Sequence, residues 1–188
     1  MRKVNLENVQ EAGEYSRLTP GGYICRITNV EDIPLNQNTG KGDYLKLEFD
    51  IAEGDFKDYY KNMEENLHFW GGSYIRSYKE KALPMFKRMC SCMAKSNPGF
   101  VFDGGQQNSD EKTLIGKLIG LVLKEEEYVG NDGSTKTRIV VHTEKSIQEI
   151  KEGKFKIPEI KKLDGTSGTY TTSTDFMEVS DSMENIPF

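Results

Sequence analysis

Asp43-Tyr44-Leu45-Lys46-Leu47-Glu48-Phe49-Asp50-Ile51 is the stretch that decides the fold. Leu45, Leu47, Phe49 and Ile51 recur at every second position, with Tyr44, Lys46, Glu48 and Asp50 between them. A β-strand sends successive side chains to opposite faces, so the alternation predicts a strand buried on one face and open to solvent on the other. Upstream, Thr19-Pro20-Gly21-Gly22 is a turn signal that opens a second alternating segment, Tyr23–Val30, and residues 36–42 read as the polar loop joining the two. Downstream, Phe56–Lys61 and Leu67–Tyr74 read as extended, aromatic-rich segments broken by Gly71-Gly72.

A helix is expected next. Ser77 and Glu80 have the spacing of a capping box, and Phe86, Met89, Cys90 and Met93 form an apolar stripe at helical period. Pro84 either kinks this helix or opens it, and Ser96-Asn97-Pro98-Gly99 ends it. Asp103–Glu111 is a polar loop. Leu114–Lys124 is rich in β-formers, with Gly116 and Gly120 as candidate bends. Gly130-Asn131-Asp132-Gly133 is a hairpin turn that returns through Thr135–His142, and Ser146 with Glu149 caps a short helix stopping at Gly153. After Leu163 the composition shifts to Gly, Ser, Thr and Asp, too polar to bury a core. The expectation is a mainly β domain over residues 1–163: a five-stranded OB-fold-like barrel with one helix between strands 3 and 4. A disordered acidic C-terminal tail over 164–188 follows it.

Charge divides at the same boundary. The chain of 188 residues has a net charge of −5. Residues 164–188 contain Asp164, Asp175, Glu178, Asp181 and Glu184 and no Lys or Arg, leaving 25 acidic and 25 basic residues in 1–163. No apolar run is long enough to span a bilayer and Met1-Arg2-Lys3 leads into polar residues, so a cytoplasmic protein without a membrane partner is expected. Cys25, Cys90 and Cys92 have neither disulfide-framework spacing nor His partners at zinc-ligand spacing, which points to reduced structural thiols and no metal or cofactor.

The tail closes on Glu184-Asn185-Ile186-Pro187-Phe188, acids around a short apolar tip. This ending resembles the acidic C-terminal tip of bacterial single-stranded-DNA-binding proteins. Two other stretches, Tyr74-Ile75-Arg76-Ser77-Tyr78-Lys79-Glu80-Lys81 and Gly130–Gly133 with Lys136-Thr137-Arg138, resemble a family of phage proteins from Gram-positive hosts. The resemblance implies an OB-fold body that coats single strands in phage replication or recombination. Its tip, here Asp181, Glu184, Ile186, Pro187 and Phe188, would dock replication and recombination proteins in the host cytoplasm. Asn185 stands where that tip usually has an acid. Homo-oligomerisation stays open.

Coating a single strand without reading sequence needs ring faces for bases and cations for phosphates. Candidates are Lys41, Tyr44, Lys46, Tyr60, Trp70, Tyr74, Arg76, Tyr128, Lys136 and Arg138, which interleave aromatics with bases across the middle strands and the loops flanking an OB groove. Phe69, Trp70 and one of Tyr59 and Tyr60 are expected to share in the core. A protein-interaction adaptor is the first rival. A metal-dependent nuclease using Glu48, Asp50, Glu53 and Asp55 is the second, although Glu48 and Asp50 fall on the strand's exposed face, and no enzyme is expected.

Overall fold

The computed structural model describes residues 17–105 and 110–163. Five strands, β1 (Gly21–Ile33), β2 (Tyr44–Ile51), β3 (Ser73–Ser77), β4 (Leu118–Val129) and β5 (Thr135–Lys145), form one antiparallel sheet in the order β3-β2-β1-β4-β5. The helices are α1 (Tyr59–Leu67), α2 (Leu83–Ser96) and α3 (Ile147–Lys151), with 3-10 turns at Glu80–Ala82 and Glu111–Leu114. The five predicted strands and the helix between the third and fourth are present, with a further helix, α1, between the second and third. The acidic segment 164–188, with Asp181, Glu184, Ile186, Pro187 and Phe188, lies outside the described residues. Among those described, no helix is long and apolar enough to cross a membrane.

The alternation in β2 works as expected: Leu45, Leu47, Phe49 and Ile51 are each about 1% exposed or less. Beside it, β1 carries a bulge between Ile27 and Asn29 that inserts one residue. The bulge shifts the parity, so Cys25, Ile27 and then Val30 all face the core. Ile119, Leu121 and Leu123 of β4 complete the inner surface, and Phe86, Met89, Cys92 and Met93 of α2 cover it. Pro84 sits in the first turn of α2, where its missing N–H leaves nothing unpaired. The predicted capping box is absent there, because Ser77 belongs to β3 and its Oγ accepts from the N–H of Lys79 instead.

Two expectations are corrected. The segment after β2 is not extended: Tyr59–Leu67 is a helix, and only Ser73–Ser77 forms the third strand. The cause is a distant cap. The Asp50 carboxylate accepts the N–H groups of Ile51 (2.8 Å), Tyr60 (2.9 Å) and Lys61 (3.0 Å), satisfying first-turn donors of α1 from ten residues upstream. The sheet is also not closed into a barrel. β3 has five residues, all spent on pairing with β2, and it and β5 are the free edges. Side chains span the gap instead: Arg76 of β3 and Glu144 of β5 form an ion pair whose side chains are 8% and 1% exposed. α2 lies against β3, β4 and β5 along this seam.

A second packing layer covers the opposite face of β1 and β4. A Cβ on Gly120 would stand 2.5 Å from Ile150 of α3, and one on Gly22 would stand 2.5 Å from the Phe155 ring. Glycine at these positions lets α3 and the strap that follows it lie directly on the backbone. Gly120 therefore serves close approach, where the sequence suggested a bend.

Candidate nucleic-acid interface

Strand register decides which candidate residues share a surface. Ile33, Tyr44 and Ser77 form one row across β1–β2–β3; Glu31, Lys46 and Ile75 form the next, and Asn29, Glu48 and Ser73 the third. Residues paired across an antiparallel ladder point to the same face, here the one opposite Leu45 and Leu47. Asn29, Glu31, Ser73 and Ile75 are exposed, and Tyr44, Lys46 and Glu48 are half-buried, so this face is open to solvent. Lys46 donates to Glu48 at 2.8 Å, which raises its pKa, and Asn29 donates to the other oxygen of Glu48 at 3.3 Å. Lys41 is exposed in the β1–β2 loop, where Asn36 Oδ1 accepts from the N–H groups of Asn38 and Thr39. In that loop Gly42 has φ +103°, and a Cβ there would stand 2.2 Å from the Pro34 carbonyl oxygen.

The other candidates fall elsewhere. Tyr60, Tyr74 and Arg76 are buried at 5%, 8% and 7% exposure and present no ring or charge to a ligand. Tyr60 packs edge-on against Phe49 at 5.4 Å, and Tyr74 packs against the same ring at 5.9 Å. Burial raises both phenol pKa values. The Tyr74 hydroxyl has no hydrogen-bond partner among the described residues, while the Arg76 guanidinium lies 4.7 Å from the Tyr74 ring centre. Trp70 is half-buried, donating its indole N–H to the Gly72 carbonyl at 3.0 Å and packing on Tyr60. Phe69, expected in the core, is 60% exposed.

Tyr128, Lys136 and Arg138 gather on the β4–β5 hairpin. Tyr128 opposes Lys136, and the Arg138 guanidinium sits 5.3 Å from the Tyr128 ring centre while bonding Glu126 at 2.9 Å. Lys136 pairs with Asp132 at 2.9 Å. Hydrogen bonds from Ser134 and then Lys136 hold the Asp132 carboxyl down to about 2. β4 continues six residues past its last pairing with β1, so this hairpin projects beyond the start of β1, and Lys41 lies beyond its other end. The ten candidates thus divide among an open sheet face, the core, a projecting hairpin, the β1–β2 loop (Lys41) and the half-buried Trp70 before β3.

The carboxylates of the nuclease reading disperse. Glu48 bonds Lys46, Asp50 caps α1, and Glu53 faces Lys151 at 3.6 Å. Among the described residues no group of three His, Cys, Asp or Glu could hold a metal ion. Burial lifts the Cys90 and Cys92 thiols to about 11, which keeps them protonated and poor nucleophiles at neutral pH. Sequence reading missed the capping role of Asp50 and the exposure of Phe69. It did not single out the lysines of the strap after α3, although their spacing was visible. No protein-family model matches the chain, and no curated protein matches it in sequence.

Proposed function

We propose that this chain is a phage single-stranded-DNA-binding protein that coats strands without reading sequence. In this reading it acts in replication or recombination in the host cytoplasm and recruits partner proteins through Asp181–Phe188. The observation that carries the reading is the sheet order β3-β2-β1-β4-β5 with α2 between β3 and β4. That order is compatible with an OB-fold left open, with the Arg76–Glu144 pair standing where a β3–β5 ladder would close the barrel. Its open β1–β2–β3 face carries Tyr44 and Lys46, and OB-folds bind oligonucleotides on the corresponding surface.

Trp70 is the single tryptophan, so its fluorescence reports on one place. Titrating the full chain into labelled oligo-dT at low and high salt should give saturable binding that weakens with salt. No binding at low salt refutes the proposal. The adaptor reading draws on one observation: residues 31–66, which include β2 and α1, contain ten acidic and four basic residues. The exposed carboxylates among them would repel phosphates and suit a basic protein partner. Capture of a basic peptide by a chain that ignores oligo-dT would establish the adaptor instead.

A further inference from the structure

The near-neutral body hides a charge asymmetry. Residues 134–163 hold eight basic and four acidic residues, the reverse of the excess around β2. Much of the surplus sits on the strap 154–163, which runs from α3 along β4. Lys156, Lys161 and Lys162 are exposed and have no ion-pair partner among the described residues. The strap backbone is fixed. Glu127 donates its N–H to the Lys161 carbonyl at 3.0 Å, Leu163 donates to the Glu127 carboxylate at 3.0 Å, and Lys161 forms a parallel bridge with Glu126. Phe155 anchors the other end on Gly22. The strap thus takes the edge of β4 that β1 leaves unpaired, across β4 from Arg138, which bonds Glu126 from the β5 side.

We propose that the lysine-bearing strap, beside the β4–β5 hairpin, forms a second track for the phosphodiester backbone of a strand leaving the sheet face. The proposal rests on the DNA-binding reading and extends its footprint. Lys156, Lys161 and Lys162 supply the phosphate contacts, and Tyr128, over which the Glu126-bound Arg138 sits, supplies a ring beside them. An anchored backbone suits this role, because little ordering is left to be done when phosphate arrives. A solvated lysine face without a ligand is the competing explanation, and counterion release separates the two. Each phosphate neutralised on a single strand steepens the dependence of log K on log salt by about 0.7, so three contacts contribute about 2.

The test compares the full chain with a Lys156→Gln/Lys161→Gln/Lys162→Gln variant, using oligo-dT of about 6 and about 25 nucleotides to bracket one OB-fold site. The track predicts that the variant binds the short oligonucleotide like wild type. On the long one its salt slope should fall by about 2. An unchanged slope on the long oligonucleotide, or equal losses on both lengths, overturns the track while leaving the DNA-binding reading intact. Wild-type chain that binds neither oligonucleotide overturns both. If the variant instead loses binding only to an acidic peptide of residues 164–188, the lysines serve the tail and the nucleic-acid track is refuted. The three side chains are exposed, so a circular-dichroism melt should match wild type and exclude misfolding as the cause.

Discussion

Replacing Arg76 by methionine removes the cation bonded to Glu144 while keeping a long side chain in the seam between β3 and β5. Both side chains are almost wholly out of water, so the carboxylate would be left charged and unpaired in a poorly solvating site. Breaking a buried pair from one side costs about 3–5 kcal/mol, whereas replacing both partners by apolar residues of similar size is close to neutral. Arg76→Met should therefore destabilise the domain by about 4 kcal/mol, lowering Tm by roughly 10 °C for a domain of this size. Arg76→Met/Glu144→Leu should recover most of that loss. Urea titrations of wild type, both single variants and the double variant, followed by Trp70 fluorescence and circular dichroism, give the coupling directly. A cost below about 1 kcal/mol for Arg76→Met, or additive losses in the double variant, would refute the idea that this pair substitutes for the missing ladder.

The same variant carries a pH signature. Burial holds the Glu144 carboxyl above its ordinary pKa, and the Arg76 guanidinium opposes that shift. Without Arg76 the upward shift grows. A carboxyl with a raised native pKa binds protons in the folded state that the unfolded chain does not, so stability increases as pH falls through that pKa. The Arg76→Met penalty should shrink as pH is lowered from neutral towards the ordinary carboxylate range, because protonation removes the unpaired charge. A penalty that is flat across this range would place the cost in packing.

Asp50→Ala leaves three N–H groups without their acceptor and should cost about 2–4 kcal/mol, with loss of helical ellipticity from α1. Tyr74→Phe removes a buried hydroxyl that has no partner among the described residues, so stability should hold or rise by up to about 1 kcal/mol in a urea melt. Gly120→Val drives its side chain into Ile150 and should cost at least about 2 kcal/mol; adding Ile150→Ala makes room and should restore part of the Tm.

What the sequence made legible was period and turn chemistry. The β2 alternation, the glycine-bounded hairpin and the capping box at Ser146 and Glu149 are local patterns, and each forms where it was expected. α1 was missed although Tyr60, Met63 and Leu67 stand at helical spacing, because the aromatic run suggested a strand and its cap lies ten residues away on β2. A non-local cap leaves no signature in a sequence window. The bulge in β1 and the register of β3 are likewise set by pairing, and a one-residue change in register exchanges the faces of a strand. Reading Tyr74 and Arg76 as ligand-facing was such an exchange, since Ser73 and Ile75 are the residues of β3 that face outward.

That exchange alters what binding on this face can rest on. With Tyr60 and Tyr74 withdrawn into the core, the sheet face keeps one aromatic, Tyr44, and its lysine is shared with Glu48. One stacked base contributes about 1–3 kcal/mol, far short of what stable coating needs. Further stacking would have to come from Phe69, which is exposed, or from Tyr128 on the hairpin, and the remaining affinity from phosphate contacts. Among the described residues, Lys161 and Lys162 of the strap, which lie beside β4, have no ion-pair partner. If the chain coats single strands, its affinity should therefore be more salt-sensitive than an aromatic-lined OB surface would be. The slope measured with wild-type chain alone discriminates: a shallow dependence with tight binding would mean that stacking dominates and that the core assignment of Tyr60 and Tyr74 does not describe the bound state.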